Sequence, residues 1–198
     1  LARELLTKSN LTFEQILAVG VGVPGPIVAD AGMVFSPPIM PGWDRYPIRD
    51  TLQSRWGCQV SLNNDAELGA LGEWAAGSGR GERNLAYIKV GTGIGAGLLI
   101  DGQIYRGVTG SAGEIGHLTI DENGPMCTCG NQGCLEALAG GRAIARQAQE
   151  AVRKKVRTQL AGISPIDRIT ALEVAEVARH GDLVAQEILK QAGLHIGI

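Results

Sequence analysis

The apolar residues in the first part of the chain show two patterns. In some segments they form continuous runs, and in others they recur at every third or fourth position. Runs of roughly 4–8 apolar residues are typical of buried strands, and the second spacing is typical of amphipathic helices. The run Ile16–Val23 shows the first pattern, and Ile48, Leu52 and Trp56 show the second. The predicted elements are, in order, the end of a helix at residues 1–8, a buried strand at Ile16–Val23, a short helix at Pro47–Trp56, a strand at Cys58–Leu62 and a helix at roughly Ala66–Ala76.

The rest of the chain changes from strand patterns to helix patterns. Asn84–Val90 predicts a strand, Leu98–Ile100 its hairpin partner, and Asp101-Gly102 the tight turn that follows. Helical spacing is predicted at Leu135–Ala139 and again from Arg142 to the end, with breaks at Gly162–Pro165, Gly181 and Gly193. Because strands dominate the first two-thirds and helices the last third, the sequence predicts an α/β fold.

Composition and charge narrow the class of protein. The 198 residues are 44% hydrophobic and 19% charged, with a net charge of −2, as in ordinary globular domains. No basic surface of the kind that binds nucleic acid is expected, and the basic segment Arg142–Arg157 reads as the polar face of a helix. No apolar run approaches the ~18 residues that span a bilayer, and no signal peptide opens the chain. We therefore expect a cytoplasmic protein without membrane contact.

Three of the four cysteines lie within eight residues: Cys127, Cys129 and Cys134. Together with His117 they form a Cys₃His set, which binds zinc tetrahedrally and leaves no position open for catalysis. Gly130 and Gly133 would let the loop turn so that all three thiolates reach one ion. The sequence therefore predicts a structural zinc, the alternative being three unrelated buried thiols and a histidine without a metal.

The segment Gly91-Thr92-Gly93-Ile94-Gly95 follows a predicted strand. Glycines allow backbone N–H groups to face an anion, to which Thr92 would add a hydroxyl. The segment is not a P-loop, because the lysine of that motif is missing. It is not a dinucleotide fingerprint, because a strand follows it instead of a helix. A purely structural hairpin corner is the alternative.

Polar residues occupy the predicted junction between a strand and a helix at Asn63-Asn64-Asp65. Capping of the helix would explain one of them. Loops after strands also carry catalytic groups in α/β proteins, and a carboxylate there would accept the proton of a substrate hydroxyl during phosphoryl transfer.

Two glutamates, Glu114 and Glu136, lie on either side of the cysteine cluster in sequence. Carboxylates beside a metal-bound histidine are suited to hydrogen-bond the neighbouring hydroxyls of a sugar. Two solvated surface glutamates are the alternative.

These segments, in this order, resemble the ROK family (repressor, open reading frame, kinase) of the sugar kinase/actin-like superfamily. The matching stretches are Gly20–Pro26, Asn64–Ala66, Gly91–Gly95, Ala112–His117 and Cys127–Glu136. The resemblance implies an actin-like, hexokinase-type (ribonuclease H-like) fold with two lobes. Residues 1–65 would end the N-terminal lobe and its crossover, and residues 66–198 would form the C-terminal lobe with the zinc loop and a helical tail.

The resemblance also implies residue roles. Asp65 would be the catalytic base, and Asn64, Glu114, His117 and Glu136 would bind the sugar, with His117 also a zinc ligand. Thr92 and Gly93 would lie at the phosphates of ATP, which would bind with Mg²⁺. Family members are commonly homodimers or homotetramers, and the same is expected here.

Two activities are compatible with the resemblance. The first is ATP-dependent phosphorylation of a hexose or N-acetylhexosamine, and the second is a sugar-responsive transcriptional repressor in which this region binds the inducer. A third reading is a sugar-binding remnant with neither activity. The intact Asn64-Asp65 and Glu114 favour the kinase, whereas Pro37–Trp43 and Lys89–Gly93 resemble segments of family regulators.

Three departures from the family pattern bear on activity. The upstream Asp-x-Gly-Gly-Thr phosphate loop and the downstream Gly-Gly adenosine segment are not in this sequence, and Glu67 stands where Asn is common. We therefore expect a central fragment that does not turn over alone.

Overall fold

The computed structural model describes residues 1–28, 31–35 and 40–197, so residues 37–39 of the regulator-like segment Pro37–Trp43 lie outside the described part. The described chain forms two compact units. The first contains Leu1–Tyr87 and Gly97–Gly113, and the second contains Ile88–Ala96 and Glu114–Ile198. The lobe boundary expected at residue 65 stays a prediction.

The first unit is built on a pair of parallel strands. Its elements are α1 (Ala2–Lys8), a 3₁₀ turn (Phe13–Gln15), β1 (Ala18–Val23), β2 (Ile27–Val28), β3 (Met33–Val34), α2 (Ile48–Trp56), β4 (Gln59–Asn64) and α3 (Asp65–Ala76). β1 pairs with β4 from Ala18 opposite Gln59 to Val23 opposite Asn64. β2 and β3 form a small antiparallel pair. The core of this unit consists of Val23, Ile27, Val34, Ile48 and Leu62.

Strand β1 corrects one prediction. The run Ile16–Val23 suggested a buried strand, but the strand begins at Ala18 and alternates between exposed and half-buried positions until Val23. Gly20 and Gly22 lie in this strand and contribute no side chain to bury. The apolar run therefore indicated the strand correctly and its burial wrongly.

Helix α3 begins where the sequence predicted a cap. The Asn64 side-chain oxygen accepts hydrogen bonds from the N–H groups of Ala66 (2.7 Å) and Glu67 (3.4 Å). The Asn64 amide in turn donates to the carbonyl of Gly25 at 3.0 Å. One side chain thus satisfies the helix N-terminus and ties it to the turn after β1.

A three-stranded sheet, ordered β5-β6-β7, contains β5 (Leu85–Val90), β6 (Ile94–Ile100) and β7 (Gln103–Ile104). The expected strand at Leu98–Ile100 is longer and begins at Ile94. Asp101 and Gly102 have φ angles of 51° and 76° and form the predicted tight turn, which connects β6 to β7. In β6, Gly97 faces α3 so closely that a side chain there would overlap Ala66.

The second unit is mainly helical. Its helices are α4 (Leu135–Ala139), α5 (Gly141–Arg153), α6 (Ala171–Arg179) and α7 (Leu183–Ile196), with 3₁₀ turns at Ile115–His117, Gln159–Gly162 and Ile166–Arg168. Fully buried alanines in α4, α5 and α7 let the helices approach closely around Leu160, Ile169 and Val174. The longest helix among the described residues has 14 residues. No helix in the described part of the chain is long and apolar enough to cross a membrane.

A buried carboxylate connects α7 to the 3₁₀ turn after α5. Asp182, at 7% exposure, accepts hydrogen bonds from the N–H groups of Ala185 (2.9 Å) and Gln159 (2.7 Å) and from the Thr158 hydroxyl (3.0 Å). Burial opposes ionisation, but these hydrogen bonds outweigh it and lower the pKa of Asp182. The ionised carboxylate therefore stabilises the folded state.

Replacement of Asp182 by alanine is expected to lower the free energy of unfolding by roughly 2–3 kcal/mol, because two backbone N–H groups lose a charged acceptor. Asp167→Ala is the matched control, since Asp167 is exposed and pairs with Arg153 at 3.6 Å. A lowered pKa gives stabilisation that is present at neutral pH and is lost as the pH falls through the folded-state pKa. Denaturant unfolding at pH 7 and below about pH 4 should therefore show a smaller acid dependence in the variant than in the wild type.

Candidate functional site

The four predicted metal ligands come together in the second unit. The ligand atoms of His117, Cys127, Cys129 and Cys134 all lie within 4.8 Å of one another. Cys127 and Cys134 are buried and Cys129 is exposed, so the cluster lies at the surface with one open side.

A tight turn in the backbone brings the three thiols together. The N–H of Cys127 donates to the Asn131 carbonyl at 2.8 Å, and the N–H of Gly130 donates to the Cys127 carbonyl at 3.0 Å. Gly130 and Gly133 have φ angles of 96° and 66°, a region that glycine adopts without strain. A side chain on Gly133 would also overlap the Asp121 carbonyl, so the glycines predicted to shape this loop are required by its geometry.

The spacing of the ligand atoms fits a tetrahedral zinc. Zn–S and Zn–N bonds of about 2.3 and 2.05 Å at tetrahedral angles place two sulfurs about 3.8 Å apart and a sulfur and a nitrogen about 3.6 Å apart. The structure has Cys129 Sγ and Cys134 Sγ at 3.7 Å and His117 Nδ1 and Cys127 Sγ at 3.6 Å. These two spacings match a tetrahedral zinc, and the four residues could hold this ion.

Electrostatics within the cluster also favour a cation. Burial opposes ionisation of Cys129, but hydrogen bonds from the backbone of Asn131 and from the neighbouring thiols outweigh it and lower its pKa. Burial, followed by the thiols of Cys127 and Cys129, raises the pKa of Cys134 to about 12. Three thiolates at this spacing repel one another unless a cation lies between them.

Glu114 lies beside the histidine of the cluster. The 3₁₀ turn Ile115–His117 brings Glu114 Oε2 to 3.8 Å from His117 Nε2, while His117 Nδ1 faces Cys127. A carboxylate near the second nitrogen of a metal-binding histidine orients its ring. Glu114 and His117, two of the four residues predicted to bind a sugar, are therefore neighbours, and the histidine directs different nitrogens toward the cysteines and toward Glu114.

Glu136 makes a contact that the sequence did not reveal. Its Oε2 accepts a hydrogen bond from the N–H of Ile94 at 2.9 Å, directly after the predicted phosphate-binding residues Thr92 and Gly93. Ile94 is 42 positions from Glu136 in sequence, and neither the zinc pattern nor the glycine pattern predicts that the two residues meet.

The predicted catalytic residue lies in the first unit. Asp65 is the first residue of α3 and follows β4 directly, so it occupies the carboxyl end of a parallel strand. Because Asn64 provides the N-cap, capping does not require the Asp65 carboxylate.

An ion pair next to this junction was missed. Arg106 Nε lies 2.9 Å from Glu67 Oε1, and its Nη2 donates to Glu67 Oε2 and to Asn63 Oδ1, both at 3.0 Å. Glu67 is 8% exposed, so this arginine supplies the opposite charge beside a buried carboxylate. Nothing local in the sequence indicates the pair, since its members are 39 positions apart.

The cysteine cluster is expected to hold about one zinc per chain, and Cys129→Ser should release the metal and lower the free energy of unfolding, because metal binding is coupled to folding. Protons compete with zinc for the thiolates, so acidification should weaken the binding of zinc. Cys58→Ser is the control, since Cys58 belongs to the other unit. Metal analysis of protein purified without chelator checks this, and less than roughly a quarter of an equivalent would contradict the site.

Arg106→Leu is expected to cost about 3–5 kcal/mol of unfolding free energy, because it leaves a buried carboxylate unpaired. Adding Glu67→Gln should recover part of that loss. Arg83→Leu is the matched control: its pair with Asp101, at 2.8 Å, has both side chains largely exposed and should contribute ~0–1 kcal/mol. Denaturant unfolding of the single and double variants measures the coupling, and equal losses for Arg106→Leu and Arg83→Leu would contradict the interpretation.

Comparison with known proteins identifies relatives of two kinds. The chain matches the model described as ROK family over residues 2–198. It is 34% identical over 198 residues to the xylose repressor of Caldicellulosiruptor bescii, covering 100% of this chain and 49% of the repressor. It is 40% identical over 175 residues to the glucokinase of Thermotoga maritima, covering 87% of this chain and 55% of the glucokinase. The chain thus spans about half the length of the curated relatives it matches.

A solved structure supports the same relationship. The ROK family glucokinase from Streptomyces griseus, in complex with glucose and AMPPNP, has a TM-score of 0.81 and 30% sequence identity, over 98% of this chain and 64% of that one. The predicted actin-like, hexokinase-type α/β fold is confirmed by this similarity. With the family model matching nearly the whole sequence, the chain belongs to the ROK family.

Proposed function

We propose that this chain is the sugar-binding portion of an ATP-dependent kinase that phosphorylates a hexose or N-acetylhexosamine. The observation that carries the proposal is the position of Asp65 at the end of β4, where Asn64 already caps the helix. A carboxylate at the carboxyl end of a parallel strand is suited to accept the proton of a sugar hydroxyl. Glucokinases among the relatives support the substrate class.

The sugar would be held by Glu114, His117 and Glu136, with Asn64 next to the base. Carboxylates form strong charge-assisted hydrogen bonds with hydroxyls, and a histidine fixed by its neighbours presents one nitrogen in a defined direction. Thr92 and Gly93 would contact the phosphates. ATP with Mg²⁺ supplies the transferred phosphoryl group, and positioning of the reactants provides most of the rate.

Five further expectations belong to this proposal. The zinc bound by the cysteine cluster is structural, because its four protein ligands leave no position for a substrate. The native protein works in the cytoplasm as a homodimer or homotetramer, and this segment binds no nucleic acid. Residues 1–65 end its N-terminal lobe, and residues 66–198 belong to its C-terminal lobe.

A sugar-responsive repressor is the second candidate. The xylose repressor of C. bescii aligns with every residue of this chain, whereas the T. maritima glucokinase aligns with 87% of it. In that case the same residues bind the sugar as an inducer, and Asp65 serves as a hydrogen-bond acceptor.

In the native protein, Asp65→Asn is expected to reduce ATP-dependent hexose phosphorylation by ~10²–10⁴-fold while sugar affinity is nearly unchanged. Asparagine keeps the shape of the side chain but does not accept the proton. A coupled assay with a panel of hexoses and N-acetylhexosamines, together with calorimetry of sugar binding, measures both effects.

Asp167→Asn is the control for a surface carboxylate. Retention of more than roughly a tenth of wild-type turnover in Asp65→Asn would exclude Asp65 as the base, since a general base contributes more than that. A wild-type protein that binds sugar, does not hydrolyse or transfer phosphate from ATP, and releases DNA in response to sugar would be the repressor.

A further inference from the structure

The glycine-rich loop Gly91–Ile94 is held by the segment that follows the cysteine cluster. The Gly141 N–H donates to the Gly91 carbonyl at 2.8 Å, and the Arg142 N–H donates to the Thr92 carbonyl at 3.1 Å. Within the loop, the Gly91 N–H donates to the Gly93 carbonyl at 2.9 Å. The three loop carbonyls are therefore engaged by the protein itself, which reduces their repulsion toward an approaching phosphate.

Glu136 provides the one side-chain hydrogen bond in this set. Its Oε2 accepts from the Ile94 N–H at 2.9 Å, and a side chain on Gly93 would overlap the Glu136 carboxylate. Similarly, a Cβ on Gly141 would lie 2.7 Å from the Gly91 carbonyl oxygen. Glycine at 93 and 141 is what allows the two segments to approach this closely.

Glu136 is also fixed from the side of the cysteine cluster. Cys134, which is fully buried, is the N-cap residue of α4, and Glu136 is the second residue of that helix. The Leu135 N–H donates to the Leu118 carbonyl at 3.0 Å, and the Cys134 thiol donates to the His117 carbonyl at 3.4 Å. The start of α4 is thus held in place by the same residues that would bind the metal.

We propose that Glu136 is a positioning residue that couples the metal cluster to the glycine-rich loop. The cluster fixes the start of α4, α4 fixes the Glu136 carboxylate, and the carboxylate fixes the Ile94 N–H and with it the conformation of Gly91–Gly93. This inference rests on the proposed function only for the ligand of the loop, a nucleotide phosphate. With Oε2 on the Ile94 N–H, Oε1 would remain to bind the sugar.

Coupling of this kind is reciprocal. If bound metal raises the affinity of the loop for a nucleotide phosphate, then bound nucleotide must raise the affinity of the cluster for the metal by the same factor. Loss of the Glu136 carboxylate should remove both effects without removing a metal ligand.

The test compares Glu136→Ala, Glu136→Gln and the control Glu122→Ala, an exposed glutamate of the same unit, in the zinc-loaded native protein. Glutamine retains an oxygen that accepts the Ile94 N–H, whereas alanine does not. Amide hydrogen exchange at Ile94 should accelerate by on the order of 10-fold or more in Glu136→Ala. It should remain close to wild type in the other two variants.

Ligand binding separates positioning from direct contact. ATP affinity should fall about 10-fold in Glu136→Ala and be retained in Glu136→Gln, whereas sugar affinity should fall in both. Bound ATP should raise the zinc affinity, measured by equilibrium competition with a chelator, in the wild type and not in Glu136→Ala. Zinc content before chelation should be equal in all of these proteins.

Each result has a defined consequence. Unchanged Ile94 exchange in Glu136→Ala, or equal acceleration in Glu136→Gln and Glu136→Ala, would overturn the positioning role. A zinc affinity that ATP raises equally in wild type and Glu136→Ala would overturn the coupling. If wild-type protein binds no ATP, the kinase proposal fails instead, and exchange at Ile94 still decides whether Glu136 positions the loop.

Discussion

The fully buried thiol of Cys134 is the point on which the chemistry of the second unit depends. It contacts the His117 carbonyl and the Cys129 thiol, and it precedes the first residue of α4. The segments that carry Glu114, the cysteine turn and Glu136 therefore meet at one atom. In water such a thiol would ionise readily at alkaline pH, but here burial and two neighbouring thiols oppose it. A cation that stabilises the thiolates would fix all three segments at once.

The high glycine content has a specific cause in this unit. The chain contains 29 glycines, about twice the average, and several occur where two backbones meet. A side chain on Gly116 would overlap the Ile94 carbonyl, and a side chain on Gly133 would overlap that of Asp121. Close approach of backbones, rather than flexibility, explains these positions, and it is compatible with loops held in one conformation for a ligand.

Sequence patterns predicted the features that depend on neighbouring residues. The cysteine spacing with Gly130 and Gly133, the cap at Asn64 and the Asp101-Gly102 turn are local, and the structure has each of them. The contacts of Arg106 with Glu67 and of Glu136 with Ile94 join residues about 40 positions apart, and no periodicity encodes them. The burial of β1 was predicted wrongly because hydropathy of a run does not specify what packs against it.

Under the proposed function, the residues that bind the sugar and the residue that acts as the base belong to different units of the chain. Glu114, His117 and Glu136 belong to the second unit and Asp65 to the first. Binding a sugar requires hydrogen-bonding groups held in place, which in the proposed site the residues beside the cysteine cluster would supply. Transferring a phosphoryl group requires in addition a base and a phosphate site that are aligned with the sugar hydroxyl within a fraction of an ångström. A chain with these residues therefore needs little change to lose catalysis and keep recognition, because binding tolerates errors of alignment that a transition state does not.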